Sequence, residues 1–412
     1  MFLRSFKLLA ATLLALLLLA GCGNGEPGPA PTGLSVTPAE SSVTVSWDMT
    51  EGVEYWLFFG PSSVAPQSTT SMQRWFGLPG GNVFLKVSSP YVINGLVNGM
   101  SYSFSVNARL DGGPGGPGAA PVSVTPRISG SNWSAESGGP VGTADLHALA
   151  FGTLYVGAGS GGAIVSSPDG LTWSVVNYAT SANLNAASFF GTYKLVGDAG
   201  TVLTSPDGAT WTTQNSGTTK NLYAIAANGL NLNVAVGAGG TIISSLDGVS
   251  WKPATDSATS NDLYAVTYTT YNGGTWLAAG ANGTLIQSSD ALTWKPVVSN
   301  SSVNLRGVAY GLTSLTAGTS TFVVVGDAGT VLTSSNGIDW SAQSLPGAGR
   351  LNAVTFGSQF VAVGALGNIV TSTDGLTWTG AASATGQDLY AVVRGPNVYS
   401  AVGAAGTHLL SR

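Results

Sequence analysis

The sequence is poor in the residues that carry most protein chemistry. Among 412 residues there are one cysteine, two histidines and four methionines, and Asp, Glu, Lys and Arg together make up only 8%. A single cysteine excludes an intrachain disulfide and a cysteine metal cluster, so packing must hold the folded parts together. His147 and His408 have no carboxylate or cysteine at ligand spacing and read as packing residues, so no metal is expected. Positive charge is scarce: 14 Lys and Arg stand against 19 Asp and Glu, for a formal net charge of -5. With no basic stripe interleaved with aromatics, nucleic acid is excluded as a partner. The glycine-rich runs lead into strands and lack the lysine of a phosphate-cradling loop, so no nucleotide or other cofactor is expected. What is plentiful is small and apolar: 44% hydrophobic residues and 58 glycines, which suits a secreted β protein long enough for two domains.

Arg4 and Lys7 precede an apolar run from Leu8 to Leu19, followed by Leu19-Ala20-Gly21-Cys22. The run is a secretory signal, too short for a comfortable membrane span. Its ending resembles the lipobox of bacterial lipoproteins. That resemblance implies that residues 1–21 are a signal peptide and that Cys22 is acylated and becomes the N-terminus. The absence of Asp at Gly23 further implies sorting to the outer membrane, facing the periplasm or the cell surface. Residues 22–30 then form the lipidated cysteine and a Gly/Pro tether.

From Pro31 the text changes to alternating strands, LSVTP, VTVSW, VEYWLFFG and YVINGLVNGMSYSFSVNA, which indicate an antiparallel sandwich. Trp47, Leu96 and Tyr102 in these runs resemble a fibronectin type III domain over residues 31–127. In that family the tryptophan and leucine are core residues and the tyrosine ties down a corner; the module is a spacer or adhesive unit. Met72-Gln73-Arg74-Trp75-Phe76 admits two readings. Arg74 and Trp75 form an exposed partner patch, or the segment is a hydrophobic edge strand or a face packed on the next domain. Gly112 to Pro121, GGPGGPGAAP, reads as a flexible exit or partly as a strand connection.

Residues 128–412 repeat. Trp133, Trp173, Trp211, Trp251, Trp294, Trp340 and Trp378 recur 38 to 46 residues apart, the length of one four-stranded propeller blade. Units open at Leu146, Leu184, Leu222, Leu263, Leu305, Leu351 and Leu389. The last unit stops before its fourth strand, while the segment around Trp133 is a fourth strand without a unit. The expected fold is therefore all-β, a fibronectin type III sandwich followed by a seven-bladed propeller closed by pairing of N- and C-terminal strands. The boxes SPDGLTW, SPDGATW, SLDGVSW, SSDALTW, SSNGIDW and STDGLTW resemble the Asp-box, or BNR, repeat of sialidase-like propellers. Runs such as VGDAGTVLTS resemble more closely the photosystem II assembly and stability factor type.

Asn336 replaces aspartate in the fifth box, and turn chemistry tolerates that exchange where acid catalysis does not. Asp169, Asp207, Asp247, Asp290, Asn336 and Asp374 are accordingly read as structural turn residues. One carboxylate per box is also far short of the oxygens that Ca²⁺ takes. A ligand site is expected at the other end, on the second-to-third-strand turns and the blade connections. The candidates there are Asp198, Lys220, Asp262, Asn282, Arg306, Asp327, Arg350 and Asp388. A sialidase set is missing: the repeats hold one glutamate, Glu136, and few arginines. The function expected is a non-enzymatic, lipid-anchored envelope protein that binds an envelope or extracellular protein partner or assists assembly. The alternative is glycan binding or hydrolysis at the surface, which predicts aromatics and carboxylates clustered on the face of Asp198 and Asp327.

Overall fold

The structure, a computed structural model, describes residues 26–66, 72–135, 142–270, 273–314, 319–343, 345, 349–396 and 398–411. Cys22 and the signal segment lie outside the described residues, as does Glu136. The chain divides into two units, Met1–Ile128 and Ser129–Arg412.

The first unit has seven strands: β1 (Ser35–Ala39), β2 (Ser42–Ser46), β3 (Val53–Pro61), β4 (Asn82–Phe84), β5 (Tyr91–Asn94), β6 (Tyr102–Leu110) and β7 (Val122–Val124). They form a three-stranded sheet ordered β1-β2-β5 and a four-stranded sheet ordered β4-β3-β6-β7. Alternate residues of β3 divide between two cores. Tyr55, Leu57 and Phe59 join Trp47, Leu96 and Tyr102 between the sheets. Tyr102 accepts the Val97 N–H on its phenol oxygen at 3.2 Å, which ties down the preceding loop.

Trp56 and Phe58 face the other way and need their own cover. The segment Met72–Trp75, a short 3-10 helix and not a strand, supplies it. Trp75 is 1% exposed, so the expected Arg74–Trp75 patch is corrected: Arg74 is exposed, and the indole belongs to the packing. The tether is corrected as well, because its described part lies along β6. Leu110 donates to the Glu26 carbonyl, Pro27 bridges Arg109, and a β-carbon on Gly28 would stand 2.7 Å from the Ala108 backbone. Of the two readings of the Gly/Pro run after β6, the connection applies. It runs beside β6, with the Gly116 and Ala119 N–H groups donating to Ala108 and Val106.

The second unit is a succession of four-stranded antiparallel sheets, here sheets I to VII. Sheet I shows the plan: Leu146–Phe151, Tyr155–Gly159, Ile164–Ser167 and Ser174–Val175, paired in chain order. The first strands of the others are Leu184–Phe190, Leu222–Ala227, Leu263–Thr269, Leu305–Ser314, Leu351–Phe356 and Leu389–Arg394. Each first strand packs on the next, and Leu389–Arg394 packs on Leu146–Phe151, so the seven encircle one axis.

Sheet VII takes its fourth strand from the other end of the unit. β8 (Ser134–Ala135) pairs with His408–Ser411 in the register Leu409↔Ala135 and Leu410↔Ser134. The join reproduces a box. In sheet I, Gly170 donates to Ser167 Oγ at 2.8 Å and Trp173 Nε1 donates to the Gly170 carbonyl. In sheet VII, Gly130 donates to Ser411 Oγ at 2.7 Å and Trp133 Nε1 to the Gly130 carbonyl. One box is thus assembled from two chain segments 281 residues apart.

Candidate functional site

The two ends of the sheets are built differently. At the box end, each aspartate is consumed by its own turn. Asp207 Oδ1 accepts the N–H groups of Ala209 and Thr210 at 2.9 and 2.8 Å and the Ser205 hydroxyl. Those bonds, with Thr210 foremost, hold its carboxyl down at about 2. Asp169, Asp247, Asp290 and Asp374 accept the corresponding pairs. Asn336 Oδ1 accepts Ile338 and Asp339 at 2.9 Å each, and its amide donates to the Asp339 carboxylate. An amide therefore does the same work as the carboxylate, and the turn bonds hold each box aspartate in its ionised form.

At the other end the chain departs from regular pairing seven times. In sheet II, Leu184 faces Gly197 and Ala186 faces Val196, which leaves Asn185 as the extra residue of a β-bulge. The same slip singles out His147, Tyr223, Tyr264, Arg306, Asn352 and Tyr390. A bulge takes one side chain out of the in/out alternation and re-aims it, and bulges are frequent beside functional sites. The leucine before each bulge is buried between sheets, whereas all seven bulged residues are half-buried. Because the first strands encircle the axis, the bulged residues form a ring at its mouth.

Contacts between neighbours follow the ring. The Tyr223 and Tyr264 rings lie 5.7 Å apart, the Arg306 guanidinium lies 5.5 Å from the Tyr264 ring, and His147 and Tyr390 are 5.0 Å apart. Asn185 and Asn352 donate across to the Leu222 and Leu389 carbonyls at 3.0 and 2.8 Å. Burial holds the His147 imidazole below its usual pKa and pushes the Tyr264 and Tyr390 phenols up, with Asp262 and Asp145 adding to the latter two respectively.

A second device sits two residues before each bulged position, where a side chain clips the turn of the preceding sheet. Asn183, Asn221, Asp262, Asn304 and Asp388 accept the N–H of Gly161, Ala199, Gly239, Asn282 and Leu366. Asp145 does this across the closure, to Ala405. Sheet VI has Arg350 there instead, which pairs with Asp388 at 2.7 Å.

The residues expected to form a ligand face do share this end, but most are committed. Asp262 and Asp388 are clips. Asp198 accepts Asn183 and Asn185, and Asp327 accepts Asn304 and both nitrogens of an Arg306 fork. That fork holds the Asp327 carboxyl below its usual range. Asn282 supplies a left-handed turn residue, φ 54°, and Lys220 is exposed on a connection. Except for Arg306, the bulged ring was missed. Its signal was present: after each opening leucine stand H, N, Y, Y, R, N and Y, a polar position inside an otherwise apolar strand. Leu366 was also missed. It is 80% exposed and holds a left-handed φ of 54° where sheets I and III have glycine. A separate groove of about 420 Å³ beside the outer strand of sheet III, lined by Thr218, Thr241, Thr255 and Ser257, contains none of the ring.

Radial four-stranded sheets around one axis, with a polar ring at one mouth, define the class: a β-propeller. No protein-family model matches the sequence, and no curated protein matches it. Solved structures do. YCF48 bound to D1 peptide is 17% identical with a TM-score of 0.55, covering 68% of this chain and 94% of that one. YCF48 from Cyanidioschyzon merolae is 17% identical with a TM-score of 0.53, covering 68% and 98%. A catalytically inactive virginiamycin B lyase from Staphylococcus aureus, with quinupristin, is 7% identical with a TM-score of 0.59, covering 68% and 99%. At these identities the likeness shows the fold alone.

Proposed function

We propose that this protein is a lipid-anchored component of a bacterial cell envelope, without enzymatic activity, whose propeller binds a protein partner through the bulged ring. In this reading a fibronectin type III sandwich follows the acylated Cys22 and carries a seven-bladed propeller closed by β8. The ring carries the proposal, because seven sheets each distort their pairing to present one polar or aromatic side chain at a common mouth. That YCF48 has been seen with a D1 peptide supports a peptide segment as the kind of ligand a propeller of this shape takes.

The test is a crosslinking pull-down from intact cells with the wild-type chain, a Tyr223→Ala/Tyr264→Ala variant and a Cys22→Ala variant. A discrete envelope protein captured by the wild type and lost with the tyrosines is the expected result. Capture that survives the tyrosine changes would move the binding surface elsewhere.

One observation favours a second reading, glycan binding: Tyr223, Tyr264 and Tyr390 stand among Asp145, Asp198, Asp262 and Asp327, the aromatic and carboxylate cluster that reading requires. Hydrolysis needs more, a carboxyl kept protonated to act as acid. Asp327 is shifted the opposite way by Arg306. Glycan recovered in place of protein would establish recognition without chemistry.

A further inference from the structure

Resting on the reading that the ring is the binding site, we infer that it takes a cationic segment, with lysine or arginine side chains of the partner seated on the tyrosines. The charges at this end argue for it. Arg306 and Arg350 are neutralised by Asp327 and Asp388. Among the described residues at this end, an anionic group meets two arginines held by carboxylates and the exposed Lys220, three cations against the five carboxylates of Asp145, Asp198, Asp262, Asp327 and Asp388. Asp145, Asp198 and Asp262 have no cation partner among the described residues. Half-buried His147, held below its usual pKa, does not offset them, and the faces of Tyr223, Tyr264 and Tyr390 carry the negative side of the aromatic quadrupole.

The clips supply the independent argument. Sheets II, III and V supply Asn183, Asn221 and Asn304 as clips, so the bond to the turn N–H needs only an amide oxygen. Sheets I and IV use Asp145 and Asp262 for the same bond. The clip does not require their charge, which stands beside Tyr390 and Tyr264 and pushes their phenols further up. It is available for a ligand.

This makes a clean test, because Asp145→Asn/Asp262→Asn removes two charges while keeping both clips. Fluorescein-labelled hexalysine, hexaglutamate and (Gly-Ser)₃ peptides are titrated against the intact protein, that variant, and Asp169→Asn/Asp207→Asn, which removes two charges at the box end. Hexalysine is expected to bind best and to weaken with salt. The ring variant should lose affinity about threefold to tenfold, the weight of two exposed charge pairs, at unchanged melting temperature. The box-end variant should bind as wild type, which separates the ring from the acidity of the whole chain. Equal loss in both variants, or hexalysine binding no better than (Gly-Ser)₃, overturns the cationic assignment. If hexaglutamate or (Gly-Ser)₃ binds instead and Tyr223→Ala/Tyr264→Ala abolishes it, the charge class falls and the ring as binding site stands. Peptide binding indifferent to the tyrosines removes both.

Discussion

Ser411→Ala tests the join that turns a row of sheets into a closed ring. Ser411 is fully buried, and its hydroxyl accepts the Gly130 N–H at 2.7 Å. Alanine leaves that N–H unpaired where water does not reach, at a cost of about 1 to 3 kcal/mol. For a domain of this size each kcal/mol shifts the melting temperature by about 2–4 °C, so calorimetry should record a fall of about 2–12 °C. The control is Ser205→Ala, which deletes the equivalent bond from Gly208 at 2.8 Å inside one continuous turn. Both variants should lose comparable heat stability, but the consequences for the backbone differ. β8 pairs with its neighbour over two residue pairs, and its segment is also fixed by the Ser134 hydroxyl on the Leu410 carbonyl, the Gln359 amide on the Ser129 carbonyl and the Asn132–Ala382 bridge. Amide exchange at Gly130, Ala135 and Leu410 should therefore accelerate in Ser411→Ala and stay protected in Ser205→Ala. Protection retained at all three amides in Ser411→Ala would show that closure does not depend on the split box.

Two further outcomes follow from residues that depart from the repeat. His408 is buried against the Trp173 edge and bonded to Ser400, and burial holds its pKa down to about 4 against the usual 6.5. Between those values the unfolded chain binds the extra proton, so stability falls as pH drops from about 6.5 toward 4. Ser400→Val/His408→Val, which copies the Val323 and Val331 pair of sheet V, should remove that dependence and gain about 2 kcal/mol near pH 5; a melting curve equally steep in acid would refute it. Leu366 holds a left-handed backbone that costs a branched side chain about 1 kcal/mol, so Leu366→Gly should raise the melting temperature. If the leucine is kept for contact at the ligand end, the same variant should capture less partner, and an unchanged melting temperature would refute the strain.

How much of this was readable beforehand depends on whether a feature repeats in phase. The buried leucines, the Trp of each box and the Gly of each turn recur at fixed offsets because each packs on a neighbouring sheet in the same way seven times. Period and composition therefore reveal them. The exchange of Asp for Asn336 revealed that the box is turn chemistry, since a hydrogen-bond acceptor is all the position needs. The orphan strand around Trp133 was legible, but the individual bonds between segments distant in sequence were hidden. SGSNW carries only the Gly and Trp of a box, because its serine is Ser411, and no local pattern predicts that bond. Trp75 misled for the opposite reason. Its neighbours Gln73 and Arg74 are polar, and the demand for cover comes from Trp56 and Phe58 on another strand.

The ring lay between these cases. His147, Asn185, Tyr223, Tyr264, Arg306, Asn352 and Tyr390 occupy one repeat position but differ in type, so they look like noise in a search for shared residues. Their common property is the bulge, which belongs to pairing and not to composition. A repeat scaffold shows function where its copies stop agreeing in side chain while still agreeing in backbone. Seven identical bulges would be a folding requirement if each held a similar residue. With an imidazole, two amides, a guanidinium and three phenols, the backbone irregularity is constant and the chemistry varies, as a surface fitted to one asymmetric ligand requires. The contrast with the clips makes the same point. There Asn and Asp both make the bond, so closing the clip does not by itself require the carboxylate at Asp145 and Asp262.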